Sequence, residues 1–138
     1  MILDYDQIDP LLLPALENFP PLDITRNNLS VVREMLAQMP SSPKPEGVIE
    51  SKATISTDSS ELDIYIYRKS DRANQPAVVW IHGGGYIFGS AEDDRSMRIA
   101  TECDCTVFSV DYRLAPEHPY PAAVEDADAA YKALLEGG

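Results

Sequence analysis

The run His82-Gly83-Gly84-Gly85-Tyr86 follows directly on the apolar stretch Ala77-Val78-Val79-Trp80-Ile81. Three successive glycines after a buried strand bring bare backbone N–H groups within reach of a ligand, and clustered N–H groups attract negative charge. Two phosphate-cradling loops fail on the residues that carry their mechanism. Gly84 and Gly89 have the glycine spacing of a P-loop, but Ser90 and Ala91 stand where Lys and Ser or Thr are required. Gly83 and Gly85 open a dinucleotide fingerprint, but Phe88 occupies its third glycine position. On their own, the three glycines fit either a tight structural turn or a site for charge that develops during a reaction.

A His-Gly-Gly-Gly run after a strand fits the second use. Acyl-transfer enzymes of the α/β-hydrolase type take one oxyanion-hole N–H from the residue after their nucleophilic serine and another from a loop of this form. No serine of this chain lies in a Gly-x-Ser-x-Gly elbow. The sequence therefore carries a charge stabiliser without the usual nucleophile.

Further motifs narrow the choice. Asp111-Tyr112-Arg113-Leu114-Ala115-Pro116-Glu117 follows the next apolar strand, and Tyr120-Pro121-Ala122-Ala123 leads into a helix that carries Asp126. With the glycine run, these segments resemble the hormone-sensitive-lipase-like family of α/β-hydrolases, in its bacterial carboxylesterase branch. The specific motifs lie in residues 48–138, and the N-terminal helices resemble part of that family's cap.

The resemblance implies an α/β fold: the N-terminal portion of an α/β-hydrolase core over residues 46–138, preceded by a helical cap segment over 1–45. It implies hydrolysis of a small acyl ester with a short or medium chain. The N–H groups of Gly84 and Gly85 are expected to stabilise the tetrahedral oxyanion. Gly83 shapes the loop, and His82 holds it by side-chain hydrogen bonds. Tyr86 and Phe88 are expected to line or support the acyl pocket. Asp111, Arg113 and Glu117 are read as structural support, because a guanidinium fork between carboxylates can fix a loop. No cofactor and no metal are implied; His82 and His118 are the only histidines.

The family's serine, aspartate and histidine would follow beyond residue 138. The isolated chain is therefore expected to be inactive toward esters. Strand 77–81, lacking the neighbour that bears the nucleophile, is expected to be an apolar edge completed by a complementary fragment or a swapped oligomer. The alternatives are a receptor-like binding protein on the same scaffold or a truncated product.

Composition sets outer limits. A chain of 138 residues fits one domain, and a net charge of −12 argues against a nucleic-acid surface. No apolar run approaches the length of a membrane span, and residues 1–6 lack signal-peptide character. Cys103 and Cys105 are too close for a useful structural disulfide, and are read as buried free thiols in a reducing cytoplasm.

The elements that must position the glycine run are legible from periodicity. Leu29, Val32, Leu36 and Met39 predict a helix over residues 26–38 that stops before Pro40, with a shorter one over 11–17 and a linker over 41–47. Residues 48–57 and 62–67 predict an antiparallel hairpin around a turn at Asp58-Ser59-Ser60, with Leu62, Ile64 and Ile66 inward and Asp63, Tyr65 and Tyr67 outward. Residues 78–81 and 106–110 read as strands, the first covered on both faces. A helix over 93–102 turns Met97 and Ala100 or Thr101 inward. A helix over 122–136 repeats Val124, Ala127, Ala130, Tyr131 and Leu134 at helical spacing and stops at Gly137. Strand, turn, helix, strand, loop, helix is the pattern of a parallel sheet with crossover helices.

Overall fold

The computed structural model describes residues 7–17, 24–39, 41–57 and 60–136. Residues 1–6, Pro40, Asp58 and Ser59 of the expected turn, and Gly137 at the expected helix stop lie outside these. The chain divides into two compact units, Met1–Met39 and Pro40–Gly138.

The first unit holds α1 (Leu13–Glu17) and α2 (Leu29–Ala37). α2 begins three residues later than its periodicity predicts. The cause is local: the Asn28 side chain turns back and accepts from the Thr25 N–H and hydroxyl at 2.8 and 2.9 Å, which holds residues 25–28 as a turn. Leu29 and Val32 are buried as expected, whereas Met39 is exposed.

The second unit is a four-stranded sheet in the order β1-β2-β4-β3, formed by β1 (Ile49–Ser56), β2 (Glu61–Arg68), β3 (Ala77–Ile81) and β4 (Thr106–Val110). β1 and β2 form the antiparallel hairpin, paired from Ile49↔Arg68 to Ser56↔Glu61. β4 lies antiparallel to β2 and parallel to β3, with Ala77 opposite Thr106 and Ile81 opposite Val110. Two helices complete the unit, α3 (Asp94–Glu102) between β3 and β4, and α4 (Ala122–Glu136) after β4.

Strand alternation sorts the core into two clusters. Leu62, Ile64, Val110 and Tyr112 meet Ala130 of α4. Tyr67, Cys105 and Val107 meet Met97 and Ala100 of α3. Each fully buried aliphatic side chain contributes about 1.5–3 kcal/mol. Three expectations change. β2 is covered on both faces, because α3 packs over Tyr65 and Tyr67, and Tyr67 is fully buried. β3 is not covered on both faces, since Ile81 is 42% exposed, while its place at the sheet edge, paired among the described residues with β4 alone, is the one expected for it. α4 buries Ala122, Asp126 and Ala130, while Val124 and Tyr131 are exposed. Small residues let that helix approach the sheet.

α3 starts at a capped end. The Asp93 carboxylate accepts from the Arg95 N–H at 2.9 Å, satisfying one of the free donors of the first turn. Met97, Ala100 and Thr101 face inward as expected. Cys105 is buried and Cys103 exposed, and both are free, so only one of the two thiols fits the expectation of burial.

Candidate active site

β3 and β4 are parallel, so both deliver their following loops to the same end of the sheet, where α/β folds bind ligands. The first loop, residues 82–89, is held almost entirely through its carbonyl groups. The Tyr112 hydroxyl donates to His82 O at 2.7 Å. His82 Nδ1 lies 2.9 Å from Gly83 O; a carbonyl only accepts, so Nδ1 carries the hydrogen. Gly84 O accepts from the N–H groups of Ile87 and Phe88 at 3.1 and 3.2 Å, and Tyr86 O accepts from Ala115 N–H at 2.9 Å.

Each of these bonds fixes a peptide plane, and the N–H at the far end of that plane points the opposite way. The His82–Gly83 bond thereby orients Gly84 N–H, and the bonds to Gly84 O orient Gly85 N–H. Among the described residues, neither of these two N–H groups has an acceptor. They are donors held in place with nothing to donate to.

Glycine is required at two points of this loop. Gly84 has φ +128°, and a Cβ there would run into the Phe88 carbonyl oxygen. Gly89 has φ +103°, and a Cβ there would strike Gly83 O and the His82 ring. Gly83, in contrast, has open space at its Cβ position. Tyr86 takes φ +65°, an uncommon conformation for a residue with a side chain.

His82 is buried and stacks on Tyr112, with ring centroids 4.1 Å apart and planes 11° from parallel. Tyr86 is 56% exposed and lines a cavity of about 290 Å³ with Ala115, Tyr120, Pro121, Ala123 and Val124; His118 also borders it. Phe88 is half-buried and bonds back to Gly84. A larger cavity of about 640 Å³ lies between the end of β1 and α4, bordered by Ile55, Glu125, Asp128 and Lys132, and shares no residue with the glycine loop.

The second loop, residues 111–121, is held by side chains. Arg113 grips Asp126 of α4: Nη2 donates to Oδ1 at 2.8 Å and Nε to Oδ2 at 2.9 Å, while the Arg113 N–H also donates to Oδ2 at 2.9 Å. Asp126 is 1% exposed. The Asp111 N–H bonds Asp63 O at 3.0 Å, and its carboxylate faces Ala91 N–H at 3.5 Å. Glu117 is exposed. The three residues read as one charged group thus occupy different surroundings.

Sequence reasoning left Gly89, Tyr112 and Asp126 without roles. Asp126 had a readable signal: a carboxylate in register with Ala122 and Ala130 on one helix face needs a cation. Among the described residues, no group of three or more His, Cys, Asp or Glu side chains could hold a metal, and no helix is long and apolar enough to cross a membrane.

Residues 78–138 match the α/β hydrolase fold family. Esterase LipI of Mycobacterium tuberculosis is 37% identical over 136 residues, covering 95% of this chain and 42% of LipI. Carboxylesterase NlhH of the same organism is 36% identical over 130 residues, covering 91% of this chain and 41% of NlhH. A solved hyperthermophilic esterase from the archaeon Pyrobaculum calidifontis superposes with a TM-score of 0.74 at 36% identity, over 94% of this chain and 44% of that one. The chain spans about two fifths of the length of the curated relatives it matches. In motif, sheet order and sequence the chain is similar to esterases of the α/β-hydrolase family, and it carries part of that fold.

Proposed function

We propose that the chain supplies the oxyanion loop of a carboxylic-ester hydrolase of the hormone-sensitive-lipase-like branch, acting on short- to medium-chain acyl esters. The observation that carries this reading is the pair of unbonded N–H groups at Gly84 and Gly85, set by carbonyls that are themselves bonded. When a nucleophile attacks an ester carbonyl, the oxygen gains negative charge. Donors already aimed at it need no reorganisation, and removing one such donor costs about 100- to 1,000-fold in rate. Tyr86 and Phe88 border the acyl group. Asp111, Arg113 and Glu117 keep the neighbouring loop rigid. Residues 46–138 form the first part of the catalytic core, and residues 1–45 a cap segment.

The nucleophile, its base and the acid come from outside these 138 residues, so the chain alone does not turn over esters. The free edge of β3 is where a further strand pairs, from a complementary segment or a second copy. Two assays test this. Purified, mass-verified chain is mixed with a short p-nitrophenyl ester, and no hydrolysis is expected; turnover abolished by a serine-directed phosphonate overturns the assignment of an absent nucleophile. The chain is then joined to the part of NlhH that follows its matched segment. Hydrolysis is expected from the joined protein, and a folded but inactive product counts against the ester reading.

A further inference from the structure

The Tyr112 side chain is buried, with three contacts to the glycine loop. Its hydroxyl donates to His82 O at 2.7 Å. Its ring carries the His82 ring at 4.1 Å, nearly parallel, and meets the Tyr86 ring at 6.1 Å with planes 60° apart. His82 and Tyr86 are the two residues that bound Gly83-Gly84-Gly85. Glycines offer no side chain by which a loop can be gripped, so this one is gripped at both ends by a single neighbouring ring. Burial holds the phenol above its ordinary pKa, which keeps it a donor near neutral pH.

We propose that Tyr112 is the positioning residue of the glycine loop. It sets the plane of the 82–83 peptide and the tilt of the His82 ring. That ring's Nδ1–H sets the next peptide plane and with it the direction of Gly84 N–H. The proposal rests on the reading of Gly84 and Gly85 as oxyanion donors and adds the group that aims them.

The test uses the full 138-residue chain, labelled with ¹⁵N and read by NMR. Tyr112→Phe keeps the ring and the core volume and removes only the hydroxyl. The expected result is about a fivefold rise in the population of an opened loop, the Boltzmann weight of one neutral hydrogen bond. It appears as exchange broadening at Gly83, Gly84 and Gly85 and as loss of the single Nδ1–H tautomer pattern of His82. Amides of the β1–β2 hairpin stay in place. Tyr112→Leu extends the broadening to Tyr86; should that variant precipitate, Tyr112→Phe decides alone. Unchanged loop and His82 signals in Tyr112→Phe overturn the proposal. So does a uniform shift of hairpin and loop together, which marks a ring that only fills the core. Ester hydrolysis does not enter this test: a loop that loosens as expected in a protein shown not to serve esters removes the ester reading and leaves Tyr112 as the residue that aims the loop.

Discussion

The loops that leave β3 and β4 start side by side in a parallel pair and are stabilised in opposite ways. Residues 82–89 have the carbonyls of His82, Gly83, Gly84 and Tyr86 bonded, while among the described residues the N–H groups of Gly84 and Gly85 have no acceptor. Residues 111–121 use a fork between the half-buried Arg113 and the buried Asp126. A loop built from glycines has no side chains with which to brace itself. Its rigidity then comes from the neighbour, through Tyr112 and through Ala115 N–H on Tyr86 O at 2.9 Å. One loop presents donors and the other stiffens it.

Breaking the bracing loop should have the largest effect on stability. Asp126→Ala removes the buried carboxylate that Arg113 grips through its guanidinium and its N–H, leaving the half-buried cation the more distant Glu125 at 3.8 Å, and hydrogen bonds to a charged group contribute about 1.5–3 kcal/mol each. Urea unfolding is expected to show a drop of that order. A change below about 0.5 kcal/mol, the level of an ordinary surface substitution, is incompatible with the fork as the second loop's main brace.

Gly89→Ala attacks the first loop. It forces a side chain into a left-handed backbone and against the His82 ring, at a cost of about 1–3 kcal/mol for the backbone strain alone. The matching substitution at Gly83, whose Cβ position is open, is expected to be much milder. Equal losses at the two positions, read by thermal unfolding, would show that the loop's shape is not what demands glycine.

Asp93 offers a pH-dependent comparison at the start of α3. Burial pushes its carboxyl up, but the side-chain and backbone hydrogen bonds from Arg95 outweigh this and hold it below the usual carboxylate value. A group with a lowered folded-state pKa contributes stability that is fully present above its unfolded value and is lost as pH falls through the folded one. Urea midpoints taken downward through the carboxylate range should therefore fall more steeply for the parent chain than for Asp93→Asn. Asp93→Ala removes the cap as well, for about 1 kcal/mol near neutral pH. Identical acid limbs for parent and Asp93→Asn contradict the assignment.

The smallest effect is expected at Arg98. Its pair with Glu102 at 3.1 Å lies exposed on α3, and surface pairs at this spacing contribute about 0.3–0.5 kcal/mol. Arg98→Ala is the control against which the two loops are read.

Much of this architecture was legible because the strands and helices of residues 48–136 are short, strongly patterned and punctuated. What periodicity could not give was the lateral place of each strand. β2 alternates like a half-buried strand, yet Tyr65 and Tyr67 are large enough to be packed under α3. β3 is apolar throughout like a central strand, and its place at the sheet edge among the described residues is the one the family resemblance implies, not its periodicity. The inward face of α4 was misread for a related reason. Val124 and Tyr131 are the more hydrophobic residues, but Ala122 and Ala130 allow close approach, and Asp126 is tolerated between them because Arg113 meets it. At the candidate site, the glycine run stood out by composition. The hydroxyl that aims it did not, because a tyrosine one residue after an aspartate in a loop reads as an ordinary core aromatic until its partner carbonyl is known.

The measurement closest to the central claim is the rate of p-nitrophenyl butyrate hydrolysis by the chain joined to the part of NlhH that follows its matched segment, compared with the same protein carrying Gly84→Ala. Gly84 N–H is an oxyanion donor in this account, and a Cβ at that position displaces the loop against Phe88 O. A fall in kcat of about 100-fold or more is predicted, with KM changed far less. An unchanged kcat in a folded Gly84→Ala protein would contradict it.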